Sequence, residues 1–415
     1  MLGRFHGGIV SMCLPWLDLN GMPDPESALR LCLRSRWDSA AATELALQAQ
    51  QPGWSWEAVA SCAFAEGLAP LLYAQLSRTD LWPGIPPGVR DGLALAYTGS
   101  AIRSAALLTE LEEALGRLTQ AGVAVLLLKG AALAGRLYGD PTLRPMSDLD
   151  LLVHETAAGR ALDVLIACGY TAAHPEARPG SVLAWENELL LSKPGVIGIS
   201  IELHWRLFDA PFYQQRLPAD WFWETAAPIA VGAARALALG PEAQFLYLAG
   251  HLMLHHRGQG LRWWLDLAEL LGRAGDALDW PGLLARAAAY ALVIPLQEAL
   301  AALAGAWGVR IAPELLAQAA ALRPSAAERR AYDRLTAAHR PVAQRFWADL
   351  ADLPTWADRG RFAWAHIVPA PAYMAGRYHP PRRWLIPFLY PWRWLTGIAG
   401  ALAYSASALR QRAGH

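Results

Sequence analysis

The chain has 415 residues with 36 basic and 36 acidic side chains, so its formal net charge is zero, and 54% of its residues are hydrophobic against 17% charged. That length and balance describe a folded chain with a well-buried core rather than a disordered one. They also speak against nucleic acid as a partner, because binding it needs an excess of clustered Lys and Arg to displace counterions from phosphates.

The cysteines Cys13, Cys32, Cys62 and Cys168 form no C-x-x-C pair, so neither a zinc site nor a disulfide framework is expected, and a reducing, cytoplasmic setting fits. The opening stretch 1–21 is apolar in part but broken by Pro15 and Asp18, and is not expected to act as a signal peptide. Residues 1–95 are expected to form a helical region, punctuated by turns at "QQPGW" and "WPGIPPG". Residues 96–230 read as an α/β core. A long helix ends at Gly122; the apolar run "VAVLLLK" is expected to be a central strand; "AALAGRLYG" is a short helix; "DLDLLVH" is a second strand. "ENELLLSKPGVIGISIELHWRL" is expected to be a hairpin turning at Pro194 and Gly195. Helices return from Pro241, giving a helical region over 231–376 and a basic, aromatic tail over 377–415 with six Arg and no acid. The tail is either a helix packed on the body or an amphipathic segment on a membrane surface, which would make the protein peripheral to the inner membrane.

The chemistry concentrates in the middle. On a strand, Asp148 and Asp150 of "SDLDLLV" share one face, and two close carboxylates call for a cation between them. In "IGISIELHWRL", Ser200, Glu202, His204 and Arg206 alternate with Ile and Leu, so Glu202 becomes a third carboxylate if the two polar faces adjoin. Three such acids can hold one or two Mg²⁺ (or Mn²⁺) ions for in-line phosphoryl transfer. Upstream, Lys129 and Gly130 stand where an apolar run opens into a helix, a place suited to an anion. Lys129 and Lys193 are the only lysines in the chain.

These segments resemble the nucleotidyltransferase superfamily of DNA polymerase beta-like fold. They are most similar to the bacterial uncharacterised nucleotidyltransferase family, with its K-G, Y-x-D, R and D-x-D-hydrophobic-hydrophobic-V pattern. Here the pattern is Lys129-Gly130, Tyr138-Gly139-Asp140, Arg144 and Asp148-Leu149-Asp150-Leu-Leu-Val. The resemblance implies an α+β fold, a small mixed-sheet nucleotidyltransferase core embedded in helical flanks. It implies a metal-dependent enzyme moving an NMP from an NTP such as ATP to a small-molecule, peptide or protein acceptor. The other reading is a non-catalytic nucleotide-binding or partner-binding module that keeps the fold.

Asp148, Asp150 and Glu202 are implied as metal ligands, with Glu202 either bridging a second ion or serving as general base. Lys129, Gly130, Ala131, Arg144 and His204 are implied at the nucleotide. Ala131 departs from the superfamily's usual serine and brings no hydroxyl. Lys129 either neutralises triphosphate charge or pairs with Asp148, Asp150 or Asp140, and Arg144 either clamps a phosphate or pairs with Asp140. His251 and His255 are expected in the core or behind the site's own residues, and Arg262 and Asp266 as an intrahelical pair.

Overall fold

A Pro-Pro step opens the longest helix, α1 (Pro87–Gln120), because proline at the first helical position lacks only an N–H that has no intrahelical partner. Gly122, at φ 71°, then turns the chain out of it. The computed structural model describes residues 24–36, 38–173, 175–195, 197–337 and 342–398; the opening stretch 1–21 and the end of the tail, 399–415, lie outside them. Among the described residues four shorter helices precede α1, between Pro25 and Leu76.

Beyond α1 come β1 (Leu126–Leu127), α2 (Lys129–Tyr138), β2 (Leu149–Leu152), β3 (Thr171–Ala172), β4 (Glu188–Lys193), β5 (Ile199–His204), β6 (Ala227–Val231) and β7 (Ala234–Ala238). They form one mixed sheet in the order β3-β4-β5-β2-β1-β7-β6. The β2–β5 and β1–β7 pairs are parallel and the rest antiparallel. The fold is therefore α+β, with helices flanking a mixed sheet.

The hairpin around Pro194 and Gly195 is β4–β5. The central apolar run pairs over a shorter length than its composition suggests, because the chain swings into α2 directly after Leu128. The β6–β7 hairpin was not expected from the sequence. Its strands, "APIAV" and "ARALA", are rich in alanine, a weak strand former, and what marks the turn is Gly232 at φ 57°.

Two apolar cores meet along α1. Leu107, Leu111, Leu115 and Leu118, at helical spacing, pack on Leu149, Leu151, Ile201 and Leu203 of the sheet. Leu93, nearer the start of α1, joins a second cluster that includes Leu29 and Leu72 before α1 and Leu246, Leu296 and Leu303 after the sheet. That second cluster seats α3 (Pro241–His256) and α4 (Leu261–Ala274) beside the sheet. The chain continues through further helices to α5 (Trp356–Ile367), α6 (Pro371–Tyr378) and α7 (386–398).

Candidate active site

The parallel register of β2 on β5 sets Asp150 opposite Glu202 and Leu152 opposite His204. Side chains alternate across a strand, so Asp150, Glu202 and His204 share one face while Leu149, Leu151, Ile201 and Leu203 fill the other without exposure. On the far side of β5, β4 brings Glu188 opposite His204.

Lys129 reaches the same face from the first position of α2. Its Nζ lies 2.7 Å from Asp150 Oδ1 and 3.1 Å from Glu202 Oε2. Burial works against the ammonium, but Asp150 and Glu202 outweigh it and hold its pKa well above the ordinary lysine value. The Lys129 backbone is left-handed, at φ 44°, a conformation that costs a side-chain-bearing residue on the order of 1 kcal/mol. The demanding backbone position of this turn is thus the lysine and not Gly130. Gly130 answers a different constraint, because a Cβ there would lie 2.8 Å from Met146 Cγ.

His204 is enclosed by carboxylates. Its Nε2 is 3.1 Å from Asp150 Oδ1 and 3.6 Å from Glu202 Oε2, and its Nδ1 is 3.0 Å from Glu188 Oε2. Burial alone would strip its proton, yet Glu188, Asp150 and Glu202 raise its pKa well above the usual value. In return, and against their own burial, His204 draws the Glu188 carboxyl down to about 2, and His204 with Lys129 hold Glu202 well below the ordinary carboxylate range.

Asp148 sits in the bend just before β2, where Ser147 Oγ donates to its Oδ1 at 3.0 Å. Burial, then repulsion from Asp150 and Glu202, pushes its carboxyl up to about 6. Asp150, Glu202 and His204 form the group of described residues whose candidate ligand atoms all lie within 4.8 Å of one another, and Asp148 stands outside it.

A second network locks α2 to α4. Arg144 grips the unexposed Asp266, its Nη2 donating to Oδ2 at 2.7 Å and its Nε to Oδ1 at 2.9 Å. Tyr138 Oη donates to Asp266 Oδ1 at 2.7 Å. Arg144 therefore pairs with Asp266 and not with Asp140, whose Oδ1 instead accepts from the Thr142 N–H at 2.8 Å. The expected Arg262–Asp266 pair is likewise displaced, since both Asp266 oxygens are taken by Arg144 and Tyr138. The Arg262 guanidinium lies 5.2 Å from the centroid of the Trp263 ring, as does that of Arg144, and its buried Nε has no hydrogen-bond partner among the described residues. His251 is buried as expected, its ring 5.0 Å from that of His255 and 5.3 Å from Trp263, whereas His255, expected in the core with it, is exposed near the C-terminal end of α3.

The description "Uncharacterised nucleotidyltransferase" matches residues 52–307, more than half of the chain. The chain belongs to that family. No curated protein matches it. Within this nucleotidyltransferase-family chain the match takes in the acid cluster and the Arg144–Asp266 network, and it stops before α5.

Two site residues were missed from the sequence. Glu188 lies in "ENELLL", which reads as an ordinary hairpin strand, and only the antiparallel register brings it to His204. Asp266 was assigned to its neighbour one turn away, and only the packing of α4 on α2 gives it to Arg144.

Proposed function

We propose that the protein is a metal-dependent nucleotidyltransferase. An acceptor nucleophile attacks the α-phosphorus of an NTP, the bond to pyrophosphate breaks, and the NMP moves to the acceptor. The observation that carries this reading is the β2–β5 register, which sets Asp150 beside Glu202 on one polar face. Carboxylate oxygens are the donors that Mg²⁺ and Mn²⁺ prefer. The Asp148 carboxyl is raised first by burial and then by Asp150 and Glu202, and a divalent ion beside it would favour its charged form. Asp148, Asp150 and Glu202 would hold that ion, which when bound supplies neutralisation of the phosphates and alignment of the attacking and leaving oxygens.

The other residues divide the remaining work. Lys129 spends its charge on Asp150 and Glu202, so it fixes the acidic strands in place. Glu202, gripped by Lys129 and His204, is a weak base and holds charge rather than removing a proton. The start of α2 at Gly130 and Ala131 offers backbone N–H groups to the phosphates, and Arg262 donates to the triphosphate from α4. Arg144 keeps α2 and α4 together. Beside the acids lies a small recess lined by Glu188, His204, Tyr213, Tyr247 and His251, where the buried Tyr213 and Tyr247 hydroxyls have no hydrogen-bond partner among the described residues, so an acceptor would present only its reacting group from that side. Zero net charge favours a small molecule, peptide or protein side chain over a long nucleic acid.

The test is incubation with each α-labelled NTP, Mg²⁺ and a cell extract. Label should reach an acceptor with wild type and not with Asp148→Asn/Asp150→Asn, and Arg262→Ala should raise KM about tenfold. No transfer with any base would end the enzymatic reading. One observation favours the rival, a non-catalytic binding module: Lys129 already lies between Asp150 and Glu202 as an internal counter-ion. Absence of Mn²⁺ binding to the wild-type protein, read by electron paramagnetic resonance, would select it.

A further inference from the structure

The C-terminal helices, beyond the span of the family match, carry an aromatic face that stands exposed among the described residues. In α7, Ile386 is buried and Leu389 and Tyr390 pack with it against Tyr373 and Met374 of α6. Three hydrogen bonds fix the helix. Tyr390 Oη donates to the Pro369 carbonyl at 2.7 Å, Arg393 Nη2 to that of His366 at 3.1 Å, and Trp394 Nε1 to that of Ile367 at 2.7 Å. The His366 and Ile367 carbonyls belong to the last turn of α5, where a helix leaves its acceptors without internal partners, so α7 is seated on a defined end of α5.

The opposite side of α7 is bare. Trp384, in the 3₁₀ turn Arg383–Leu385 that leads into α7, is 64% exposed, and on α7 itself Phe388 is 67%, Trp392 59% and Leu395 65% exposed. They recur at intervals of four, four and three residues, which places them on one helical face. A stripe of this composition turned to solvent marks an interaction surface.

Its surroundings select the partner. Arg377, Arg382 and Arg383 are exposed beside it, and no acidic residue occurs from Arg377 to the end of the chain. Trp and Phe with Arg at their flank, on a segment that itself carries no acid, suit the boundary between anionic headgroups and acyl chains. No helix of the described residues is long and apolar enough to cross a bilayer. We infer that the face formed by Trp384, in the 3₁₀ turn leading into α7, and by Phe388, Trp392 and Leu395 of α7 docks the protein on an anionic lipid surface, with Arg377, Arg382 and Arg383 supplying the charge. This is independent of the chemistry of the acid cluster, which lies on other elements.

Co-sedimentation of the full chain with phosphatidylcholine vesicles, with and without phosphatidylglycerol, tests it. Wild type is expected to bind the anionic vesicles and to be released by salt. Trp384→Ser/Phe388→Ser/Trp392→Ser should lower partitioning about tenfold or more with an unchanged melting temperature, since these side chains are exposed. Arg382→Gln/Arg383→Gln should weaken binding to anionic vesicles alone. Failure of wild type to bind either vesicle would overturn the proposal, as would an aromatic triple variant that binds like wild type. A concentration-dependent dimer that the triple variant abolishes, with no vesicle binding, would assign the face to a second copy of the chain instead.

Discussion

Lys129 carries two demands at one residue: a left-handed backbone that favours glycine, and an ammonium that neutralises two buried carboxylates. Lys129→Ala leaves Asp150 and Glu202 with His204 as their remaining counter-charge and should cost about 3 kcal/mol in urea unfolding. Lys129→Arg keeps the charge, but a planar guanidinium does not fit where a compact ammonium sits, so it is expected to lose most of that stability and activity too. An arginine variant that melts and turns over like wild type would show that charge alone matters. Asp148 gives a test in pH. Its folded pKa, about 6, lies above the ordinary value of 3.8, so in the metal-free protein its contribution to stability is greatest at low pH and falls as pH rises from about 4 to about 6. Asp148→Asn removes that dependence. The variant should therefore gain on wild type in melting temperature across that window, and a constant difference would contradict the assignment. In the sequence the lysine stood out by rarity and the acids by alternation. Which acids the lysine would meet was not legible, because strand register is set by pairing between distant segments.

The element scale is dominated by the clasp between α2 and α4. Tyr138 and Arg144 come from the stretch around the end of α2, and both close on Asp266, which is wholly buried in α4. Asp266→Ala would strand a buried guanidinium and is expected to cost about 3–5 kcal/mol by urea unfolding. Arg144→Lys should restore little, since one ammonium cannot make the paired bonds of a guanidinium. A loss below about 1 kcal/mol in Asp266→Ala would mean that the clasp is screened like a surface ion pair. The sequence pattern marked Tyr138 and Arg144 together and placed every strand of the acid site. It failed at β6 and β7, where alanine hides a hairpin, and at Arg262, where one-turn spacing suggested a partner already engaged elsewhere.

At the scale of the whole molecule, α1 is the common wall of both cores, with Leu93 in the helical cluster and Leu107 to Leu118 under the sheet. The α+β class was legible because apolar runs with strand and helix periods alternate in the middle of the chain. The way the two helical flanks join was not. Leu29 and Leu72 share a cluster with Leu246 and Leu296, a packing between segments that no local pattern encodes.

The centre of the sheet has a consequence for how the protein is made. β1 is flanked by β2 on one side and by parallel β7 on the other, and Leu126 pairs with Leu237, more than a hundred residues further along. A chain leaving the ribosome can form the β4–β5 hairpin and pair β5 with β2 while β1 still has an open edge. That order would bring the acid cluster together before the sheet that supports it is complete. Synthesis must pass Ala238 before β7 can close that edge, and such a distant parallel pairing is slow. Until then the nascent nucleotidyltransferase core exposes an apolar strand edge, and that interval is when the chain depends most on protection from aggregation.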